Sequence, residues 1–376
     1  MAVIVRPGLN IGAMSAEDDN NYLSHCLVTT SDMHQIRDMG SPKCIALGRT
    51  GSGKSAIMLN LEKTQDNVIR INPESLSMNY ISNSTILNFF EKVNVKLDVF
   101  YQLLWRHILA VELLKVKKRI VDEQTSRNFI NSWLAKFSTD QRKKRALQYL
   151  TEFGDSFWVD TEQRVREVVH RIEKSFEDEL GFSVDAFQAK LAADLKDKNL
   201  ESIQQTTEII HKAQKVVNSI QIQELNGVID ILADDIFNDA QQKYYIVIDD
   251  LDTGWVHDGL RFKLVRALIE TVKKFRRIPN LKVILGLRSD LLETVLSSTS
   301  SAGFQTEKYE DTMLRLRWTR DELLELADKR IAYSFRDQYT NKIPNFYDVF
   351  SPKVGSQEAF DYILERTLFR PRDLIS

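Results

Sequence analysis

The chain is short of the residues that punctuate a fold. Its 376 residues include only 14 glycines and 7 prolines, where average usage would bring the two to about 12% of a chain. Turn-dense architectures such as all-β sandwiches and propellers are thereby excluded. No proline stands between Pro73 and Pro279. Two cysteines, Cys26 and Cys44, are too few for a disulfide framework or a four-cysteine zinc site, and the six histidines show no metal spacing. No apolar run approaches the ~20 residues of a membrane-spanning helix. The opening MAVIVRPGLN lacks the charged-then-apolar layout of a signal peptide. An excess of one charge is missing too: 51 basic against 53 acidic residues leave a net charge of −2, so no global field points to nucleic acid or membrane. The expectation is a soluble, cytoplasmic protein with no membrane partner. A hydrophobic content of 43% excludes disorder, and the length suits two or three domains, or one with a large insertion.

What is present falls into four stretches. Residues 1–73 form a polar N-terminal segment, with an acidic cluster at Glu17, Asp18 and Asp19, and then the first part of an α/β core. In that part a β-like run, Lys43–Leu47, leads into GRTGSGKS, a helical pattern (SAIMLNLEKT) and a second β-like run, Asn67–Ile71, the opening of a βαβ unit. Residues 74–243 hold no proline, and their apolar residues repeat at helical spacing, as in Val165, Val168, Val169, Ile172, Phe176, Leu180 and in Ile209, Ala213, Val216, Val217, Ile220. This predicts an all-helical insertion of roughly six or seven helices, with an antiparallel long pair. Residues 244–320 return to the core: a strand at Tyr244–Asp250, an amphipathic helix at Gly259–Arg276, a buried strand at Leu281–Leu287 and a last one at Thr312–Trp318. Residues 321–376 read as a C-terminal helical lid that stops at Ser376 without a capping glycine, as a fragment of something longer would.

The segment Gly48-Arg49-Thr50-Gly51-Ser52-Gly53-Lys54-Ser55 fits G-x-x-x-x-G-K-S/T at every defined position. Glycines let backbone N–H groups converge on one concavity that cradles a phosphate, and the helix that begins there, with Ala56 in its first turn, adds the positive end of its dipole. Lys54 is then expected to reach the β- and γ-phosphates of ATP, with the Ser55 hydroxyl on Mg²⁺. Arg49 either touches phosphate or faces solvent; solvent is the plainer reading. The strand Ile246-Val-Ile-Asp249-Asp250 ends in paired carboxylates. Asp249 suits the acid that holds Mg²⁺, Asp250 stands where a base would activate water, and Asp252 reads as a cap on the next turn.

GRTGSGKS together with IVIDDLD resembles the additional-strand class of P-loop ATPases, which holds the AAA+, STAND and KAP proteins. Within it, the chain looks most like a bacterial set in which a large helical block separates the second strand from the acidic motif. The resemblance covers about 43–71, 244–320 and the tail. It implies an α/β fold with a parallel P-loop sheet, in which one strand, Leu281–Leu287, is inserted between the two motif strands. It also implies that Arg288 senses the γ-phosphate, and that Arg370 or Arg372 of LFRPRDL reaches back from the lid to the nucleotide. Relatives in the STAND and KAP groups serve signalling or defence against phage. One departure is an aspartate, Asp250, where AAA+ proteins usually carry glutamate; it is a methylene shorter, which suits slow hydrolysis or a nucleotide-held switch. The sequence holds neither LSGGQ nor N-K-x-D, so ATP is preferred to GTP.

Between Arg261 and Lys282 stand eight basic residues (Arg261, Lys263, Arg266, Lys273, Lys274, Arg276, Arg277, Lys282) against Glu270. A solvated face, a nucleic-acid surface and a subunit interface remain open readings. Arg315, Arg317 and Arg320 are candidates for an arginine finger given to a neighbour. Trp105, Trp133 and Trp158 read as core or docking residues, and His25 and Cys26 as core or adenine-side packing. The expected function is Mg²⁺-dependent ATP binding and hydrolysis, coupled to conformational change or to assembly with copies of itself or an effector protein. The rivals are a weakly hydrolysing interaction module, a small-molecule kinase and a DNA-stimulated ATPase.

Overall fold

Five short apolar runs build the centre of the molecule: β1 (Ile45–Gly48), β2 (Val68–Ile71), β3 (Tyr244–Ile248), β4 (Leu281–Arg288) and β5 (Met313–Arg315). In the computed structural model, which describes residues 4–5, 8, 10–76, 84–92, 95–118, 123–136, 139–141, 143–144, 161–181, 183, 186, 210–216, 222–298, 307–338 and 342–375, they pair in parallel in the order β2-β3-β4-β1-β5. The fold is therefore mixed α/β, and β4 lies between β1 and β3. Helices cover both faces, so these strands read as continuous apolar runs. The side chains nevertheless divide with the period of two that a strand imposes. On β3, Tyr245 and Val247 join the cluster of Met33, Ile36, Ile57, Met58 and Leu61, whereas Tyr244, Ile246 and Ile248 face the larger core.

The first face is covered by α2 (Ser31–Arg37) and by α3 (Lys54–Thr64), with α1 (Asn20–Cys26) preceding them. The helices of the insertion are α4 (Thr85–Lys92), α5 (Asp98–Lys118), α6 (Glu123–Lys136), α7 (Thr161–Leu180) and α8 (Ile222–Ile231), followed by a π-helical turn at Leu232–Ile236. They belong to the larger core on the other face. α5 is buried around its circumference from Phe100 to Leu114, which explains why no amphipathic stripe shows in its sequence. It packs along α9 (Asp258–Phe275), where the Trp105 indole N–H donates to the Leu264 carbonyl at 2.9 Å. Trp105 and Trp133 are core residues; Trp158 lies outside the described residues. Val169, Ile172 and Phe176 of the first helical series are buried, as are Ala213 and Val216 of the second. The side chains of Val165 and Val168, and residues Ile209, Val217 and Ile220, lie outside what is described.

After α10 (Ser289–Ser298) and the short α11 (Glu307–Glu310), the C-terminal unit comprises α12 (Arg320–Ser334), α13 (Phe346–Val349), α14 (Ala359–Thr367) and α15 (Pro371–Ile375). A capping box starts α12, with Thr319 and Glu322 satisfying each other's backbone N–H groups. The expected purely helical tail is corrected in one respect: β6 (Lys353–Val354) and β7 (Gln357–Glu358) form a small antiparallel hairpin within it. The unit has its own apolar cluster, Leu323, Leu326, Ile331, Phe335, Phe346, Phe360 and Leu364, which also takes in Val28 from the far end of the chain.

Candidate functional site

The crevice outside the carboxyl ends of parallel strands is where open α/β sheets present their chemistry, and β1, β3 and β4 all deliver polar residues there. β1 ends at Gly48, and α3 starts at Lys54. Between them Gly51 and Gly53 take φ values of 81° and 97°, the left-handed region that glycine enters without penalty. Crowding adds to this at Gly51, where a Cβ would stand 2.7 Å from the Arg372 Cβ. The Lys54 ammonium folds over the loop, donating to the carbonyls of Gly48 at 3.3 Å and Arg49 at 3.1 Å. Burial holds its pKa below the ordinary lysine value, against the pull of Asp249 and Asp252. The Ser52 hydroxyl is buried without a hydrogen-bond partner among the described residues. Trp318, just beyond β5, donates its indole N–H to the Ser52 carbonyl at 2.9 Å. Thr50, Gly51, Ser52, Gly53, Lys54, Ser55 and Ala56 line one cavity of about 200 Å³. Arg49 is exposed and, with Gly48, lines a second cavity on the other side of the loop.

The acidic strand end faces this loop. Ser55 Oγ donates to Asp249 Oδ2 at 2.7 Å, joining residues 194 positions apart. Neighbouring β4 supplies Gly286 beside them, where a Cβ would stand 2.3 Å from Asp249 Oδ1, so only glycine leaves the carboxylate its place. Asp250 turns the chain with φ 56°, an uncommon conformation for a side-chain-bearing residue. Partial desolvation at the cleft wall, then the charges of Asp249 and Glu17, hold its carboxyl above the ordinary range. Asp252 does not cap the turn that follows; Thr253 makes that turn, donating from N and Oγ1 to the Asp250 carbonyl. The Asp252 carboxylate instead pairs with Arg288 at 3.1 Å, at the end of β4. Asp290 grips the same guanidinium, and its hydrogen bond raises the Arg288 pKa further. Lys54, Ser55, Asp249, Asp250, Asp252 and Arg288 thus share one cavity.

The opposite wall comes from the two ends of the chain. Leu23, Cys26, Val28, Leu326 and Ile375 give it an apolar surface. His25 does not join Cys26 there: it is exposed and stacks on Tyr333, with ring centroids 4.6 Å apart. Of the two tail arginines, Arg372 lines the cavity and donates from Nε to the Met14 carbonyl at 2.9 Å. Arg370 pairs with Asp373 and faces the second cavity. The fastener is a pair that the sequence left without a role. Arg330 of α12 and Asp19 are buried together, and the guanidinium engages both carboxylate oxygens, one at 3.2 Å. The same Arg330 donates to the Ile11 carbonyl at 2.9 Å and leaves no room for a Cβ on Gly12, which would stand 1.8 Å from it.

The basic stretch is redistributed by folding. Lys282 belongs to β4 and is buried, donating to the carbonyls of Gln35 at 2.9 Å and Asp38 at 2.6 Å; burial lowers its pKa from 10.5 to about 8. Arg266 is buried against Glu270. Lys263 pairs with Glu91, Arg277 with Asp230 and Arg261 with Asp258. Five of the eight basic side chains are thus ion-paired or buried, through contacts within α9, with the insertion and with residues 35–38. Of the arginine-finger candidates, Arg315 pairs with Glu310, and Arg320 with Asp361 and Glu358. Arg317 is exposed. The stretch 17–40, expected to line an adenine pocket, does supply Asp19 and its neighbours to the cavity; sequence reasoning missed Arg330, Gly12 and Trp318 as parts of the site.

Fold and cleft together define a mixed α/β protein with a five-stranded parallel sheet and a polar crevice at its carboxyl edge. Among the described residues no group of three or more His, Cys, Asp or Glu gathers into a metal cluster, and no helix is long and apolar enough to cross a membrane. Residues 321–376 match the FunZ-associated C-terminal helical domain. Over 375 residues the chain is 21% identical to the "Putative transposon gamma-delta 80.3 kDa protein" of Escherichia coli (strain K12), a match that covers 97% of this chain and 45% of that one. The chain therefore spans less than half the length of that relative. No solved structure matches.

Proposed function

We propose that the chain is a P-loop ATPase that binds ATP with Mg²⁺ at Gly48–Ala56 and hydrolyses it, coupling nucleotide state to the position of the chain ends. The observation that carries this reading is the Ser55–Asp249 hydrogen bond at 2.7 Å. A hydroxyl and a carboxylate, both oxygen donors, suit a hard divalent cation, and Mg²⁺ characteristically takes only one or two protein ligands, with water and phosphate oxygens for the rest. Bound Mg²⁺ supplies charge neutralisation at the β- and γ-phosphates. Lys54, which caps two loop carbonyls, is placed to exchange them for phosphate oxygens, and the backbone N–H groups at the start of α3 point the same way. Asp250 would accept a proton from the attacking water. Arg288 and Arg372 both line the cavity, and the apolar wall of Leu23, Cys26, Val28 and Leu326 suits a nucleobase. The strand order β2-β3-β4-β1-β5 also agrees with the additional-strand class.

Calorimetric titration with MgATP tests the reading. Lys54→Ala removes a charged hydrogen-bond donor worth about 1.5–3 kcal/mol, so affinity is expected to fall about 10- to 150-fold; unchanged binding contradicts the assignment. A second reading, a nucleotide-held switch, draws on Asp250, which is shorter than glutamate and held at φ 56°. It predicts tight binding with negligible turnover.

A further inference from the structure

We propose that the arginine-lined groove on the far side of the phosphate loop is a binding site for single-stranded nucleic acid. The groove has a volume of about 880 Å³ and is walled by Arg49, by the strand ends around Arg288 and Arg317, by the start of α10, and by the turn Leu368–Arg370. Five arginines and no lysine line it, against two acids, Asp290 and Glu293. Three of the five are spent within the chain: Arg288 on Asp252 and Asp290, Arg315 on Glu310, Arg370 on Asp373. Arg49 and Arg317 are exposed and have no ion-pair partner among the described residues. A planar guanidinium fork matches the two free oxygens of a phosphodiester better than an ammonium does.

The turn beside them supplies the second element. Leu368 and Phe369 adopt φ values of 51° and 56° in succession, a conformation that costs energy in any residue with a Cβ. They do so between α14 and Pro371, whose ring disfavours a helical continuation through the residue before it. The result is that Phe369 is 45% exposed and Leu368 58% exposed at the groove rim. Strain that persists in a folded chain concentrates at functional sites. An exposed aromatic face beside free guanidinium groups is the arrangement that stacks a base while its phosphates are neutralised. An acidic peptide would satisfy the arginines but gives the Phe369 ring no stacking partner, so nucleic acid is the occupant the groove fits. Of the basic residues on α9, by contrast, Arg261, Lys263 and Arg266 are ion-paired. Thr50, Ser52, Arg288, Leu316, Arg317 and Trp318 line both this groove and the cavity that holds Lys54, so a strand lying here touches the phosphate loop itself. The proposal stands without nucleotide hydrolysis.

Fluorescence anisotropy with a fluorescein-labelled oligothymidylate, in nucleotide-free buffer and across a salt series, is the test. Arg317→Gln and Phe369→Ala are each expected to weaken binding about fivefold or more. The Arg49→Gln, Arg317→Gln pair should flatten the slope of log affinity against log salt by about 1.4, at about 0.7 per phosphate contact. Lys274→Gln of α9 with Arg276→Gln at its C-terminal cap should leave binding unchanged, and polyglutamate should displace the labelled strand far less well than unlabelled oligonucleotide does. Circular-dichroism melts of each variant should overlay the wild type. Ultraviolet crosslinking of the wild-type chain to the same oligonucleotide should label the 368–370 turn, which keeps the proposal testable if a variant misfolds. It is overturned if the wild-type chain fails to bind at low salt, if the α9 pair abolishes binding while the groove variants retain it, if the crosslink maps elsewhere, or if polyglutamate displaces the oligonucleotide as well as DNA does.

Discussion

The two walls of the cleft are built on different principles. One is the sheet edge, where Gly48–Ser55, Asp249, Asp252 and Arg288 follow directly from the strands that carry them. Its specificity is local: two glycines at positive φ, a hydroxyl one residue past a lysine, and a glycine, Gly286, that makes room for a carboxylate. The other wall brings residues between Ala13 and Met33 together with Leu326, Arg330, Pro371, Arg372 and Ile375, which meet only because the chain folds back on itself. A buried ion pair whose members are 311 positions apart fastens it, with Met14 and Arg372 adding a further tie. The sheet wall is set by backbone conformation and local packing, the other by a desolvated charge pair together with apolar and hydrogen-bonded contacts between the two chain ends. A cleft made this way has one fixed side and one side whose attachment can be changed without disturbing the sheet.

The largest expected effect therefore lies on the second wall. Asp19→Ala leaves the Arg330 guanidinium, with 3% of its side chain exposed, buried without its carboxylate. Such half-pairs cost about 3–5 kcal/mol, so the C-terminal unit should become the first target of limited proteolysis and the urea midpoint should drop. A proteolysis pattern and midpoint like those of the wild type would show that the ends are held by something else. Next comes the sheet wall. Gly286→Ala pushes a methyl group against the Asp249 carboxylate and should cost about 1–3 kcal/mol by overpacking. It should weaken MgATP binding while sparing the docking of the C-terminal unit; the reverse pattern would dissolve the distinction between the walls.

A third effect concerns pH. The folded-state pKa of Lys282 is lowered from 10.5 to about 8 by burial, so between those values the unfolded chain binds a proton that the folded chain does not. Stability contributed by this group should rise with pH across that window and be flat below it, where both states are protonated. Lys282→Met should remove that rise from the unfolding free energy measured against pH; identical curves for the two proteins would refute the assignment.

The sheet wall was legible in the sequence because each of its signals is contiguous. GRTGSGKS and IVIDDLD are short strings whose chemistry is set by neighbours in the chain, and strands buried on both faces advertise themselves as apolar runs. The end wall was legible only in part: Cys26 and one tail arginine were expected in the cleft, whereas the pair that joins the chain ends was not. Nothing local tells Asp19 from Glu17 or Asp18, or shows that Arg330 will be buried while Arg336 stays exposed. Charge counting failed for the same reason at Arg266 and Lys282, where packing decides which basic groups remain in water. Asp252 misled because a carboxylate after a strand is as apt to cap a turn as to hold an arginine across the sheet, and only the placement of β4 beside β3 settles the choice. Trp318 was visible as the end of the last strand but not as a donor to the Ser52 carbonyl.

The most direct test of the central claim is the rate of phosphate release from ATP by the purified chain with Mg²⁺, compared with Asp250→Asn. The account predicts Mg²⁺-dependent release that the substitution abolishes while nucleotide binding survives. Steady release that Asp250→Asn leaves intact, or a chain that neither binds nor cleaves ATP, would contradict it.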